Sequence, residues 1–316
     1  MFEAFQTTLM QILILFLLMG VGFFLSRRQV LGEGAVKSLI RILFDVVTPC
    51  VIIDAFQLER SAERAGGLAV AALVISLYHI VAILLSRVLT FGRHRDPRVV
   101  ASRRLCTIYT NCGFMGLPLL TALATLVGPE GVFYGSVFIT INNVFLWTQG
   151  VLLFQKKEDF SLRAALRNLL SPSVFGVLIG LALFLGGVTL PTLLAQPVEY
   201  LGSMNTPLAM LIIGALIERS DWERMFADRR AYLPVLLRNI AFPLLTLAAL
   251  WGLGLHGSVF LCCLLLTACP TAGNCVIFSE NFNGDKDLAS KIFTLSTLFS
   301  VVSLPCIIAL ASILLC

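Results

Sequence analysis

Two short stretches carry the residues that could bind a small molecule inside an otherwise apolar chain. Thr110–Leu120 reads TNCGFMGLPLL, and Thr267–Phe278 reads TACPTAGNCVIF. Each places an Asn, a glycine and a proline in an apolar run, where proline removes a backbone donor and glycine weakens a helix. Unpaired backbone groups at membrane depth are tolerated only where protein or a water-filled cavity satisfies them. The pattern therefore predicts two broken helices, whose new N-terminal ends would favour an anion.

The two breaks supply the candidate binding residues. Asn111 and Asn274 add side-chain donors and acceptors at corresponding points of the two halves, although each could instead cap its own half-helix. An Asn pair in the fifth apolar segment is a candidate third contributor, because at least one of two adjacent helical residues should face the interior. The predicted substrate-binding residues are Asn111, Gly113, Gly273, Asn274, Asn142 and Asn143. The predicted structural residues of the breaks are Gly116, Pro118 and Pro270.

Charged side chains within apolar segments form a second set of candidates. Asp45 is the carboxylate placed deepest in a predicted span, and Arg41 precedes it by one helical turn. Charge at membrane depth is costly and usually functional, so Asp45 is a candidate proton-coupling group. The alternative is an Arg41–Asp45 pair that anchors the helix near the interface. Arg238 is expected to be an interface anchor, with a contact from Arg238 and Asn239 to a second substrate carboxylate as the alternative. His79 is expected to be a hydrogen-bonded core residue, with a proton relay as the alternative.

The composition identifies a membrane protein. Of the 316 residues, 58% are hydrophobic and 13% are charged, whereas a soluble domain has about 25% charged residues. The nine cysteines have no metal-ligand spacing, and no sequence motif of an ATPase, a zinc protease or a serine hydrolase is present. We therefore expect no enzyme activity, no catalytic residue, no metal, no cofactor and no nucleic-acid partner.

Apolar runs and charge clusters predict ten membrane-spanning helices in two inverted repeats of five. The predicted spans are 7–26, 36–57, 66–90, 104–127, 131–154, 172–190, 197–218, 231–252, 256–280 and 288–314. Of the 23 Lys and Arg residues, 21 fall on the side of the odd-numbered loops, so these loops are expected in the cytoplasm and both termini outside. An offset of 158 residues maps Pro49 onto Pro207 and superposes the two breaks. The predicted units are residues 1–155, a cytoplasmic linker at 156–171, and residues 172–316.

Three motifs resemble those of the auxin efflux carrier family. They are TNCGFMGLPLL in the fourth span, PTAGNCVIFSENFNGD in the ninth and STLFSVVSLP in the tenth. The resemblance covers essentially the whole chain, and bacterial members of that family are often described as malonate or malate permeases. It implies an all-α membrane fold in which the broken fourth and ninth helices cross at Pro118 and Pro270. It also implies that Asn111 and Asn274 contact an anionic substrate, that spans one, two, six and seven form a scaffold, and that the protein is a homodimer.

Together these observations favour a secondary carrier of a small organic anion, a carboxylate, in a bacterial inner membrane. Two interrupted segments in corresponding halves are the usual sign of a transporter binding site. Movement of the part that holds the two broken helices against the scaffold would alternate access. The energy would come from the proton gradient or from the substrate's own gradient. A sodium-coupled symporter, and a channel or transceptor with the same fold, are the alternatives that the sequence leaves open.

Overall fold

The protein is built from helices. The computed structural model describes residues 2–90, 96–154 and 172–314. Within these ranges there is no β-strand, and one isolated antiparallel β-bridge joins Thr110 to Thr271. The linker predicted at residues 156–171 lies outside the described residues.

The described helices are as follows in chain order. They are α1 (Phe2–Arg27), α2 (residues 33–55), α3 (Ala62–Thr90), α4a (Pro97–Ile108), α4b (Cys112–Ala122), α5 (Gly131–Gly150), α6 (Pro172–Gly186), α7 (Thr192–Glu218), α8 (Tyr232–Gly252), α9a (Gly257–Ala268), α9b (Asn274–Asn281) and α10 (Lys286–Leu314). Two single-turn helices, Ala124–Val127 and Trp222–Met225, lie in connections.

Among the described residues, six helices are long and apolar enough to cross a membrane: α1, α3, α5, α7, α8 and α10. Three shorter apolar helices accompany them, namely α4b, α6 and α9a. Two of these three belong to the helices that the sequence predicts to be broken, and their shortness is the direct result of the breaks.

Prolines set the local geometry of three helices. A π-helical turn lies directly before each of three prolines, and each proline is in the first turn of the helix that follows. The turns are Leu43–Val47 before Pro49, Cys112–Gly116 before Pro118, and Leu237–Ala241 before Pro243. A proline has no N–H and its ring clashes with the carbonyl four residues earlier. The wider π-turn accommodates both effects, so the helix continues past the proline.

Glycines allow α1, α2, α6 and α7 to pack closely as one group. A Cβ atom at Gly22 in α1 would overlap the backbone of Leu211 in α7, and one at Gly214 in α7 would overlap the carbonyl of Met19. A Cβ at Gly176 in α6 would lie 3.0 Å from the Cα of Pro49 in α2. Small residues let helix backbones approach closely inside a membrane.

The remaining helices form a second group around the Thr110–Thr271 bridge. The Cys262 thiol of α9a donates to the Gly131 carbonyl of α5 at 3.3 Å. Beyond the spans, Asp228 accepts from Arg230 at 2.7 Å and lies 3.6 Å from Lys291 of α10. Because Arg230 hydrogen-bonds it, the pKa of the Asp228 carboxyl is lowered to about 2, and this loop carboxylate ties the start of α8 to α10.

Candidate functional site

The two broken helices meet at their breaks. Thr110 and Thr271 form the antiparallel β-bridge between them. Two backbone hydrogen bonds accompany the bridge: the Asn111 N–H donates to the Pro270 carbonyl at 2.8 Å, and the Ala272 N–H donates to the Tyr109 carbonyl at 3.1 Å. Each break thus satisfies backbone groups of the other, as an interrupted helix inside a membrane protein requires. We call residues 109–112 and 269–274 the crossing.

Asn111 presents an unpaired donor at the crossing. The residue is 2% exposed, and its Nδ2 has no hydrogen-bond partner. Its backbone carbonyl is well satisfied, because it accepts from Met115 at 3.1 Å and from Gly116 at 2.9 Å. The Thr110 hydroxyl is also buried without a partner. A buried polar group without a partner costs about 1–3 kcal/mol, so these side chains fit a ligand that completes their hydrogen bonds.

Asn274 begins α9b, and Gly273 precedes it. Asn274 is partly exposed, in contrast to the buried Asn111. Gly273 lines a cavity of about 420 Å³ between α1, α2 and α7 on one side and α9b and α10 on the other. We call it the inner cavity. Its lining also includes the charged residues Glu33, Lys37, Glu218, Arg219, Glu280 and Lys286. It opens on the side of the odd-numbered loops, which the sequence predicts to be cytoplasmic, and it reaches the crossing at Gly273.

A second cavity lies at the opposite ends of α2 and α7. This outer cavity, of about 520 Å³, lies between these helices and the end of α4b with the start of α5. Asp54 and Glu199 line it, together with Asn205, whose side-chain amide is buried without a hydrogen-bond partner. Both cavities therefore follow the boundary between the two helix groups.

The predicted Asn pair in α5 faces a different cluster. Asn142 is 4% exposed, and its Oδ1 lies 3.1 Å from Nε2 of His79 in α3. The other ring nitrogen of His79 lies 2.9 Å from the Ile75 carbonyl, and the imidazole stacks on Phe145. His79 is fully buried, as a core histidine should be. Asn143 is partly exposed on the same helix.

The glycines and prolines of the breaks have separate positions. Pro270 is in the crossing, whereas Pro118 lies further along, in the first turn of the helix Leu117–Ala122. The first broken helix therefore crosses its partner at Thr110. A Cβ at Gly116 would lie 2.5 Å from Leu266 of α9a, so this glycine serves close packing. At Gly113 the nearest neighbour of a Cβ would be Phe44 at 3.8 Å, which leaves the position open.

Asp45 lies on the π-turn of α2 and is exposed, as is Arg41. Lys37, on the same helix, pairs with Glu33 at 2.6 Å. The described ion pairs include none between Arg41 and Asp45. Asp45 is therefore an exposed carboxylate that no described ion pair includes.

Arg238 and Asn239 of α8 are the residues whose position the sequence did not reveal. The expectation that Arg238 anchors α8 at the interface is wrong, because its side chain is completely buried. Asn239 is equally buried. Both lie on the π-turn before Pro243. The sequence named both only as alternative contacts to a second substrate carboxylate, and it gave no signal for their burial.

No group of His, Cys, Asp or Glu that could hold a metal ion occurs among the residues the structure describes. Cysteines 106, 112, 262, 263, 269 and 275 are buried as free thiols. The polar side chains of the crossing are the amides of Asn111 and Asn274, the hydroxyls of Tyr109, Thr110 and Thr271, and the buried thiols of Cys112 and Cys269.

Comparison with known proteins places this arrangement in a family. The family described as membrane transport protein matches residues 7–165 and 159–308. An uncharacterized transporter of Methanothermobacter thermautotrophicus is 27% identical over 304 residues, which cover 94% of this chain and 95% of that protein. These matches and the apolar helices identify an integral membrane protein that is a transporter rather than an enzyme. The chain belongs to the membrane transport protein family, the auxin efflux carrier family that its motifs resemble.

Proposed function

We propose that this transporter is a secondary carrier for a small organic anion, a carboxylate, and that the anion binds at the crossing. The single observation that supports this most is the buried, unpaired Nδ2 donor of Asn111 next to the break. A donor without a partner matches a carboxylate, which only accepts hydrogen bonds. Asn274, Gly273 and Gly113 complete the proposed site.

The local electrostatics support an anion. The helix Asn274–Asn281 and the helix Cys112–Ala122 both begin at the crossing, and helix N-termini carry a partial positive charge. Neither break contains an acidic residue. This favours a bound anion and weighs against a sodium site, which would need clustered oxygen ligands in the unwound segments.

The proposed mechanism is elevator-like alternating access. The scaffold would consist of α1, α2, α6 and α7, and the group around the crossing would move against it. The chain as a whole would form two inverted repeats of five helices, residues 1–155 and 172–316. The inner and outer cavities at opposite ends of α2 support this boundary. We place the protein in a bacterial inner membrane with both termini outside, as a homodimer.

Protons are the proposed coupling ion, and Asp45 is the proposed coupling group. Its side chain is exposed on the π-turn of α2, and no described ion pair includes it. Asn142 and Asn143 are assigned a secondary role, because Asn142 already interacts with His79.

Counterflow in proteoliposomes tests the proposal. Purified protein would be assayed with labelled malonate, malate, succinate and an indole acid, each with and without an inward pH gradient. We expect one acid to exchange, Asn111→Ala and Asn274→Ala to lose that exchange, and Asp45→Asn to exchange without responding to the gradient. Exchange that survives both Asn changes would contradict the site. Folded protein that exchanges no acid would contradict the carrier and favour a channel or a transceptor.

A further inference from the structure

Arg238 connects the two broken helices at the ends of their first halves, α4a and α9a. Its Nη1 donates to the Ile108 carbonyl at 3.2 Å and to the Tyr78 hydroxyl, and its Nη2 donates to the Thr267 carbonyl. Ile108 is the last residue of α4a, and Thr267 is the second-last residue of α9a. One guanidinium therefore binds carbonyls at the C-terminal ends of both first half-helices.

These two helix ends are electrostatically unfavourable neighbours. The last carbonyls of a helix have no intrahelical partner, and the C-terminus carries about half a negative charge. The crossing brings two such ends close together inside the protein. A planar guanidinium with several donors in a fixed geometry is suited to bind both at once, and it remains charged when buried.

Arg238 is stabilised in this position without a carboxylate. No described ion pair includes it. Its guanidinium carbon lies 5.5 Å from the ring centroid of Tyr78 and 5.7 Å from that of Phe242, which provides cation–π stabilisation. The described partners of the guanidinium are thus the two helix ends, the Tyr78 hydroxyl and the two rings, and its Nε is buried without a hydrogen-bond partner.

The neighbouring Asn239 holds the other side of the crossing. Its Nδ2 donates to the Ser296 carbonyl at 2.8 Å, and its Oδ1 accepts from the Ser296 hydroxyl at 2.5 Å. That hydroxyl in turn accepts from the Thr271 N–H at 2.9 Å. Two adjacent residues on one π-turn of α8 thus fix α4a, α9a and the bridge residue Thr271.

We propose that Arg238 is a positioning residue for the anion site. It neutralises the negative ends of α4a and α9a, so the positive ends of α4b and α9b dominate the potential at the crossing. This inference rests on the proposed function. It means that Arg238 favours a negatively charged substrate at the crossing without contacting that substrate.

Substitution of Arg238 with measurement of both affinity and stability tests the inference. Arg238→Met keeps an unbranched apolar side chain, although a shorter one, and removes the charge and every donor. Arg238→Lys keeps the charge but cannot bind two carbonyls through a planar fork. Arg98→Met, at an exposed Arg on α4a, is the matched control. Counterflow KM and Vmax would be measured per folded protein for a monoanionic and a dianionic acid, with the melting temperature measured in detergent.

We expect Arg238→Met to raise KM about tenfold or more, with a larger rise for the dianion than for the monoanion, and Arg238→Lys to recover part of the affinity. The control should match the wild type. A lower melting temperature with KM unchanged, or an equal rise for both acids, would assign Arg238 a purely structural role and overturn the inference. If Arg238→Met does not fold, Arg238→Gln, which removes the charge but keeps side-chain donors, decides, and wild-type KM values for both acids in that variant would overturn the inference.

The two proposals fail in different ways. Wild-type protein that exchanges no acid would contradict the proposed function. Wild-type exchange that depends on Asn111 but not on Arg238 would contradict only the inference about Arg238.

Discussion

At the scale of single residues, the crossing combines polar groups that are satisfied with polar groups that are not. Asn239 uses both ends of its amide on Ser296, whereas Nδ2 of Asn111 has no partner. The first arrangement stabilises the folded protein. The second costs stability and leaves a donor available to a ligand.

Asn111→Ala should therefore separate binding from stability. We expect KM for the transported acid to rise about tenfold to a hundredfold, because a hydrogen bond to a charged group contributes about 1.5–3 kcal/mol. We expect the melting temperature without substrate to be no lower than that of the wild type, because the lost donor was unpaired. Asn239→Ala is the control and should lower the melting temperature. A clear loss of stability in Asn111→Ala would show that its amide is structural.

The sequence predicted these residues unevenly. Asn111 and Asn274 could be found because each follows the same signal, an amide beside glycine and proline in an apolar run. The burial of Arg238 could not, because hydropathy locates a residue along a span and does not show which way it faces. The pairing of Asn142 with His79 depends on the packing of α3 against α5, which no local pattern encodes.

At the scale of elements, breaks and close contacts position the site. Glycine and proline predicted that α4 and α9 are interrupted, and the structure shows an interruption in each. The position of the first crossing differs from the expectation, because a π-turn lets the helix continue through Pro118 and moves the break to Thr110. The π-turns before Pro49, Pro118 and Pro243 follow from proline chemistry, but their positions were not predicted.

Close packing of α1 on α7 gives a test with an internal control. Gly22→Ala should lower the melting temperature in detergent, because the added methyl would overlap the backbone of Leu211 and overpacking costs about 1–3 kcal/mol. Gly20→Ala, on the same helix, should have no such effect, because nothing lies within 4 Å of a Cβ there. Equal melting temperatures for the two variants would contradict this contact.

At the scale of the whole molecule, the account depends on two groups of helices that move against each other. Phe44 of α2 and Phe114 of α4b meet across the boundary, with ring centroids 4.8 Å apart. Phe56, directly after the end of α2, and Phe184 of α6 meet within the proposed scaffold, with ring centroids 6.4 Å apart. The first contact should change during transport, and the second should not.

Cross-linking would distinguish these two contacts. In a cysteine-free background, a short thiol-reactive cross-linker applied to Phe44→Cys with Phe114→Cys should stop counterflow, and cleavage of the link should restore it. The same treatment of Phe56→Cys with Phe184→Cys should leave counterflow intact. Continued transport by the first cross-linked pair would rule out movement at this boundary.

The central claim is that the transported anion occupies the crossing, and protection of a cysteine at Gly273 tests it most directly. A Cβ at this position has its nearest neighbours, Leu216 and Phe293, at 3.6 Å, so Gly273→Cys should fold. In a cysteine-free background, the acid that exchanges in counterflow should slow maleimide labelling of Gly273→Cys and leave Gly34→Cys, an exposed control on α2, unaffected. An acid that is transported but gives no protection at position 273 would contradict the account.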